Sequence, residues 1–414
     1  MTATTATRRV GVLAAAAAFL LSGCGVIPGT SGSQDPIVVM TWAPEGTDAT
    51  NMPGMPAMAE AYARMVNAQG GINGRSLQVL TCNEHNDSVQ AENCAQQAVE
   101  AHAVAVIGSY SQYGESFMPT LEDAGIPYLG GYGITQEEFT SPLSYPVNGG
   151  APALLAGNGR QLASGCRKVS LVRPDTEAGD SFPEFLDAGL AYGGNSTPAQ
   201  DVRVPEAATD YSGAAQTAVG SGEPGQCVTA VLGGNTGTFF DDFRRLDFGP
   251  QIRTASVLGS VDQPMLDAMG GADGPMEGSY ATGWYPPPGD PRWNAMRDAV
   301  DKYAFGDTNL DVADPGAETT WIAYTAFATV VRSLGDGPVT ASTVQHALDQ
   351  AHGISTGGLT PPLGWQYGDL LAVQNYPRMV NATVTYQIVR DGELTAVGRG
   401  GFVNMSSTLE RAHD

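Results

Sequence analysis

The sequence predicts an α/β fold built as two similar units, each a parallel sheet covered by helices on both faces. Short apolar runs alternate with stretches of helical spacing from Asp35 onward, and the same rhythm restarts near Gly150. About 390 residues follow Cys24, more than one core of roughly 100 to 200 residues holds.

In the first unit, "PIVVMTW" (36–42) reads as a buried strand, and the Pro/Gly-rich loop "APEGTDATNMPGMP" follows it. "AMAEAYARMVNAQGG" is a helix with Met58, Ala61, Met65 and Ala68 on one face and Gly70-Gly71 at its end. "SLQVLTC" (76–82) is the second strand. Asp87 offers an N-cap with Gln90 three residues on, and Ala91, Cys94, Ala95, Ala98 and His102 continue at helical spacing. "AVAVIG" and "IPYLG" are the third and fourth strands, ending in the loops "SYSQYGES" and "GYGITQEE".

In the second unit, strands are expected at "KVSLVRP" (168–174), "QCVTAVLGG" (226–234) and "RTASVLGS", with helices at "DSFPEFLDAGLAYGG" and "GTFFDDFRRLDFG". "PGAETTWIAYTAFATVVRSL" (315–334) is the longest helix signal, and "TASTVQHALDQAH" follows as a shorter one. "ATVTYQIVRDGELTAVG" alternates with period two around Asp-Gly and reads as a hairpin.

Arg8 and Arg9 precede the uncharged, mostly apolar run "VGVLAAAAAFLL", the layout of a secretory signal. A membrane span needs roughly 20 apolar residues, and this run is shorter. It closes with Leu21-Ser22-Gly23-Cys24, which resembles a bacterial lipobox. The expectation is a signal over 1–23 and a lipidated linker over 24–35, with Cys24 carrying acyl chains that anchor the protein at the outer face of the cell membrane.

Apolar residues make up 42% and charged residues 15%, a globular composition. The net charge of −23 argues against nucleic acid and anionic lipid surfaces as partners and serves solubility. With Cys24 assigned to lipid, Cys82, Cys94, Cys166 and Cys227 remain, an even count that suggests disulfides outside the cytoplasm. Three pairings are open. Position favours Cys82 with Cys94 and Cys166 with Cys227, each within one unit.

Enzyme and metal signatures are few. "GISTG" (353–357) matches G-x-S-x-G without the strand before and helix after that a nucleophile elbow needs. Cys82, His85 and Cys94 lack a fourth zinc ligand of comparable quality. No catalytic residue, metal or cofactor is expected.

"VNAQGGINGRSLQVLTCNEHNDSVQAENCAQQAV", "VAVIGSYSQYGESFMPTLEDAGIPYL" and "WIAYTAFATVV", in this order behind a lipoprotein signal, resemble the type I periplasmic solute-binding proteins. The resemblance is to the branch that includes the leucine/isoleucine/valine-binding proteins of ABC importers, and its most specific piece is "NAQGGING", Asn67 to Gly74. It implies two Rossmann-like lobes joined by three hinge strands, with a small-molecule ligand in the cleft. Lobe 1 would be 36–147 plus 283–375, lobe 2 148–282 plus 376–404, and 405–414 a tail. It also implies a monomer that delivers its ligand to the permease subunits of an ABC importer.

Carried onto this chain, the family's ligand loops place Ser109, Tyr110, Ser111, Tyr132 and Gly133 in lobe 1, with Gly133 standing where the family has a hydroxyl. In lobe 2 they place Asp175, Asn235, Thr236 and Asp262, the last as partner of a ligand ammonium. Trp42, Trp284 and Tyr285 add aromatic walls. The expected ligand is an amino acid or amino-acid-like amide. The aromatic content leaves sugars and small aromatic compounds as alternatives, and a sensing receptor without transport shares the same fold.

Overall fold

The computed structural model describes residues 35–412, apart from Asp48, Glu206 and residues 247–251. The expected signal, Cys24 and all but the last residue of the linker lie outside the described residues. Among those described, no helix is long and apolar enough to cross a membrane.

The apolar run IVVMTWA forms β1 (Ile37–Ala43), followed by α1 (Gly54–Ala68), β2 (Leu77–Asn83), α2 (Ser88–Glu100) and β3 (Val106–Ile107). Then come α3 (Gly114–Ala124), β4 (Tyr128–Leu129), α4 (Glu137–Thr140) and β5 (Ser144–Tyr145). The five strands make a wholly parallel sheet in the order β2-β1-β3-β4-β5. Asp87 caps α2 by accepting from the Gln90 amide at 2.9 Å, as its sequence signature predicts.

The second sheet begins after α5 (Gly150–Ala163), with β6 (Lys168–Pro174), α6 (Glu177–Asp180), α7 (Phe182–Tyr192), β7 (Gln200–Val204) and α8 (Ser212–Val219). β8 (Gln226–Ala230), α9 (Thr236–Arg244), β9 (Arg253–Val257), α10 (Gln263–Ala268) and β10 (Tyr280–Gly283) complete its parallel part. The chain then returns to the first sheet, where α11 (Asn294–Tyr303) and α12 (Pro315–Arg332) pack on α1, and α13 (Ala341–Asp349) packs on α12. It ends on the second sheet with β11 (Thr383–Arg390), β12 (Glu393–Ala396), β13 (Val403–Asn404) and α14 (Ser406–Leu409).

The expectation of two parallel sheets needs one correction. The second sheet runs β12-β11-β10-β9-β8-β6-β7, and β11 pairs antiparallel with β10. β11 arrives from the other lobe and folds back as the predicted hairpin with β12, its turn made by Asp391 at φ 53° and Gly392 at φ 78°.

The chain therefore passes between the lobes after β5, after β10 and after α13. Side chains stitch these passages together: Asn148 Nδ2 donates to Tyr285 Oη at 3.0 Å, and Asn381 Nδ2 to the Val147 carbonyl at 3.0 Å. One apolar core runs through both lobes, while separate clusters fill the outer face of each sheet. Disulfides join Cys82 to Cys94 and Cys166 to Cys227, each pair with Cα atoms 5.8 Å apart. The first ties the end of β2 to the buried face of α2, leaving His85 exposed beside it.

Candidate functional site: the interlobe cavity

Parallel strands present their C-terminal loops at one sheet edge, where open α/β folds bind ligands. Here the loops of the two sheets face each other across a cavity of about 940 Å³, counting the space open to solvent. The first lobe contributes Thr50 and Met52 after β1, Tyr110 and Gln112 after β3, and Tyr132 and Ile134 after β4. The second contributes Thr176 and Ala178 after β6, Tyr211 before α8, Asn235 after β8, and Gly259 and Ser260 after β9. Leu154 and Leu155 of α5, Phe182 of α7 and Trp284 close the sides.

Three rings form a continuous wall. Tyr110 meets Tyr132 edge-on with centroids 5.4 Å apart, and Tyr132 meets Trp284 edge-on at 5.0 Å. Trp284 is fixed by its indole, which donates to the Gly150 carbonyl at 3.0 Å. The Tyr132 hydroxyl is buried and has no hydrogen-bond partner. Burial, followed by the nearby Asp314 carboxylate, holds its pKa well above the usual phenol value. Among the described residues, no Asp, Glu, Lys or Arg side chain lines the cavity.

Of the twelve residues expected in the site, Tyr110, Tyr132, Asn235 and Trp284 line this cavity and eight do not. Trp42 lies in the outer core of its lobe, 5.2 Å from Phe117 and 6.0 Å from Tyr128 between ring centroids. The alternation of β1 puts Met40 and Trp42 on that face and Val39 and Ala43 on the other. Ser109 Oγ accepts from the Trp42 amide at 3.1 Å, and Ser111 Oγ donates to buried Glu84 at 3.3 Å. Gly133 gives its amide to Glu138 at 3.0 Å.

The remaining four also have structural partners. Asp175 is exposed, 3.6 Å from Arg203. Thr236 Oγ1 accepts from the Leu232 amide at 3.1 Å. Asp262 caps α10 by accepting from the Met265 amide at 2.9 Å. Tyr285 is part of the passage network, its hydroxyl also 3.0 Å from Thr319 Oγ1.

Two carboxylates, Asp314 and Asp262, act on Tyr132. Burial is the first cause that raises Asp262, with Asp311 adding to it, and burial raises Asp314 to about 7. Glu318 is raised well above its ordinary value by burial and then by Asp314, and its Oε1 has no hydrogen-bond partner. The buried guanidinium of Arg173 is already held by Asp201 at 2.8 Å and Asp180 at 2.9 Å.

Several lining residues carried no signal of their own. Phe182 and Tyr211 are single aromatics in helix-start segments, and Leu154 and Leu155 belong to α5, a helix whose sequence GAPALLAGNGRQLA has no apolar stripe. α5 is buried nearly all round. A Cβ at Gly159 would overlap the Leu186 carbonyl of α7, and one at Gly189 the Ala156 carbonyl of α5, so glycine permits this crossing.

The family model of the periplasmic binding proteins matches residues 38–384. The chain belongs to the periplasmic binding protein family. Among solved structures, this periplasmic binding protein is similar to a substrate-binding periplasmic protein from Ralstonia solanacearum, with a TM-score of 0.73 and 18% identity. That likeness covers 87% of this chain and all of the other. A solute-binding protein of an ABC transporter from R. palustris, in complex with 4-hydroxybenzoate, matches with TM-score 0.72 and 16% identity over 90% of this chain and 97% of that one. The leucine-binding protein LivK from Thermotoga maritima matches with TM-score 0.68 and 14% identity over 89% and 99%. At these identities the likeness shows the fold of this periplasmic binding protein, type I with two lobes. A search of curated proteins finds no match.

Proposed function

We propose that this protein captures a small organic solute carrying a ring or a branched apolar body, closes its two lobes over it, and delivers it to an ABC importer. In this reading it acts as a monomer, exported and held at the outer face of the membrane by lipid on Cys24. The observation that carries the proposal is the aromatic wall of Tyr110, Tyr132 and Trp284 at a cavity to which both lobes contribute. Such walls with a few neutral polar groups suit apolar or ring-shaped solutes.

The amino-acid reading has less support, because Asp262 does not line the cavity and the serines after β3 have internal partners. Structural neighbours in complex with 4-hydroxybenzoate and with benzoate support a ring-bearing solute. Closure follows from differential affinity: a solute that touches both lobes favours the state in which they meet.

The test is a thermal-shift screen against amino acids, sugars and aromatic compounds, with X-ray scattering on each hit. A solute at a hundred times its dissociation constant adds about 2.7 kcal/mol of stability. Hits that compact the protein support the proposal; a panel with neither shift nor compaction counts against it.

A further inference from the structure

A second hollow adjoins the aromatic-walled cavity. It encloses about 650 Å³, counting the space open to solvent, a size within the roughly 300 to 1,000 Å³ of small-molecule pockets. Gln112, Ile134 and Ala178 line both hollows, so the two meet at these side chains. Gln112 and Ile134 come from the loops after β3 and β4 of the first lobe, and Ala178 from α6 of the second. At this junction the second lobe presents only a methyl group.

The side hollow is built from different groups. Glu115, Thr135, Gln136 and Glu137 line it from the first lobe, Ser181 from the second, and Tyr376 from the passage that leads to β11. Tyr376 is fixed between two rings, Phe139 at 5.5 Å and Phe185 at 5.6 Å between centroids. Ser181 Oγ donates to the Ala178 carbonyl at 3.1 Å, which leaves its oxygen to accept. Gln112 uses its nitrogen toward Asn86 Oδ1 at 3.4 Å, and its amide oxygen likewise accepts.

These walls discriminate between kinds of tail. An apolar tail would take water from carboxylates and amides and give no hydrogen bond in return. An ammonium tail only donates, whereas the Gln136 amide also has N–H groups to satisfy. A hydroxyl both donates and accepts, so a tail bearing several of them matches carboxylates, amides and hydroxyls together.

We propose that the solute has two parts: a ring-bearing body in the aromatic-walled cavity and a hydroxyl-rich tail, as in an aryl or benzyl glycoside, in the side hollow. The tail passes between Gln112, Ile134 and Ala178. This rests on the solute-binding reading above and deepens it by naming the second half of the solute.

The experiment is calorimetric titration of the purified protein, with tryptophan fluorescence as a second readout and scattering for compaction. The probes are phenol and benzyl alcohol, the β-D-glucoside of each, glucose, and 4-phenylbutylamine. Each glucoside is expected to bind at least about tenfold more tightly than its parent alcohol and more tightly than glucose. Two variants alter the side hollow from opposite sides. Gln136→Ala combined with Glu137→Ala removes polar groups of the first lobe, and Ser181→Trp fills the space from the second. In each, the ratio of glucoside to parent affinity should fall at least about tenfold.

Glucosides that bind no more tightly than parent alcohols that do bind would overturn the inference and leave the solute-binding reading in place. A gain shown by 4-phenylbutylamine and not by the glucosides would overturn the hydroxyl-rich tail. A ratio unchanged in both variants would remove the tail from the side hollow. No binding by any probe, together with no compaction by any solute of the wider screen, would overturn the solute-binding reading and this inference with it.

Discussion

The hydroxyl of Tyr132, on the loop after β4, sits against Gly259, on the loop after β9, so that one ring touches both lobes. A Cβ built at Gly259 would lie 3.2 Å from Tyr132 Cζ and would overlap the hydroxyl oxygen, and Gly259 has φ +85°. An alanine there is strained in its backbone and also collides across the cavity. Gly259→Ala should therefore weaken binding of a true solute at least about tenfold, equivalent to about 1.4 kcal/mol. Titration should reveal it, with scattering showing less compaction at saturation.

Tyr132 itself separates two effects. Tyr132→Phe removes a buried hydroxyl that has no partner, so the solute-free protein should be as stable or more stable, by up to about 1 kcal/mol. Its affinity for a solute that pairs with the hydroxyl should fall about tenfold through loss of one hydrogen bond. Tyr132→Ala also leaves a cavity and should destabilise by about 3 to 5 kcal/mol. Urea denaturation and titration of both variants measure the two effects.

Glu84, Asp314 and Glu138 are each raised by burial to about 7. Between the ordinary carboxylate range and pH 7 the folded protein binds more protons than the unfolded chain at these sites. Their contribution to stability is therefore full below the unfolded value and is lost as pH rises through about 7. Asp201, bound by Arg173, and Asp290, bound by Arg292, are lowered and act in the opposite sense in more acidic solution. The melting temperature should fall by several degrees from pH 5 to pH 8, and Glu138→Gln should flatten that slope.

The two disulfides should differ in value. In the chain-entropy description, a link 61 residues apart contributes about 4 kcal/mol and one 12 apart about 3 kcal/mol. Replacing Cys166 and Cys227 together by serine should lower the denaturation midpoint more than replacing Cys82 and Cys94. Equal losses would mean that structure in the unfolded chain outweighs loop length.

What the sequence determined by itself is local and periodic. The alternation of strands and helices, the cap at Asp87, the turn at Asp391-Gly392 and the placing of each cysteine pair within one unit all depend on neighbours in the chain or on spacing. Elements without such a pattern were hidden. β5 and β10 are short strands of two and four residues, and α5 is buried too evenly to show a face.

What only the tertiary structure decided is which groups are already in use. A strand apolar on both sides does not say whether Trp42 faces the cavity or the outer core. A loop sequence does not say that the amides of Gly133, Ile134 and Thr135 close on Glu138. Nor does Asp262 announce that it caps a helix. Each hydrogen-bonding group is available to a solute only if no nearer partner takes it, and that partner is three residues on for Asp262 and 67 residues away for Ser109. Position in a loop was legible; vacancy was not.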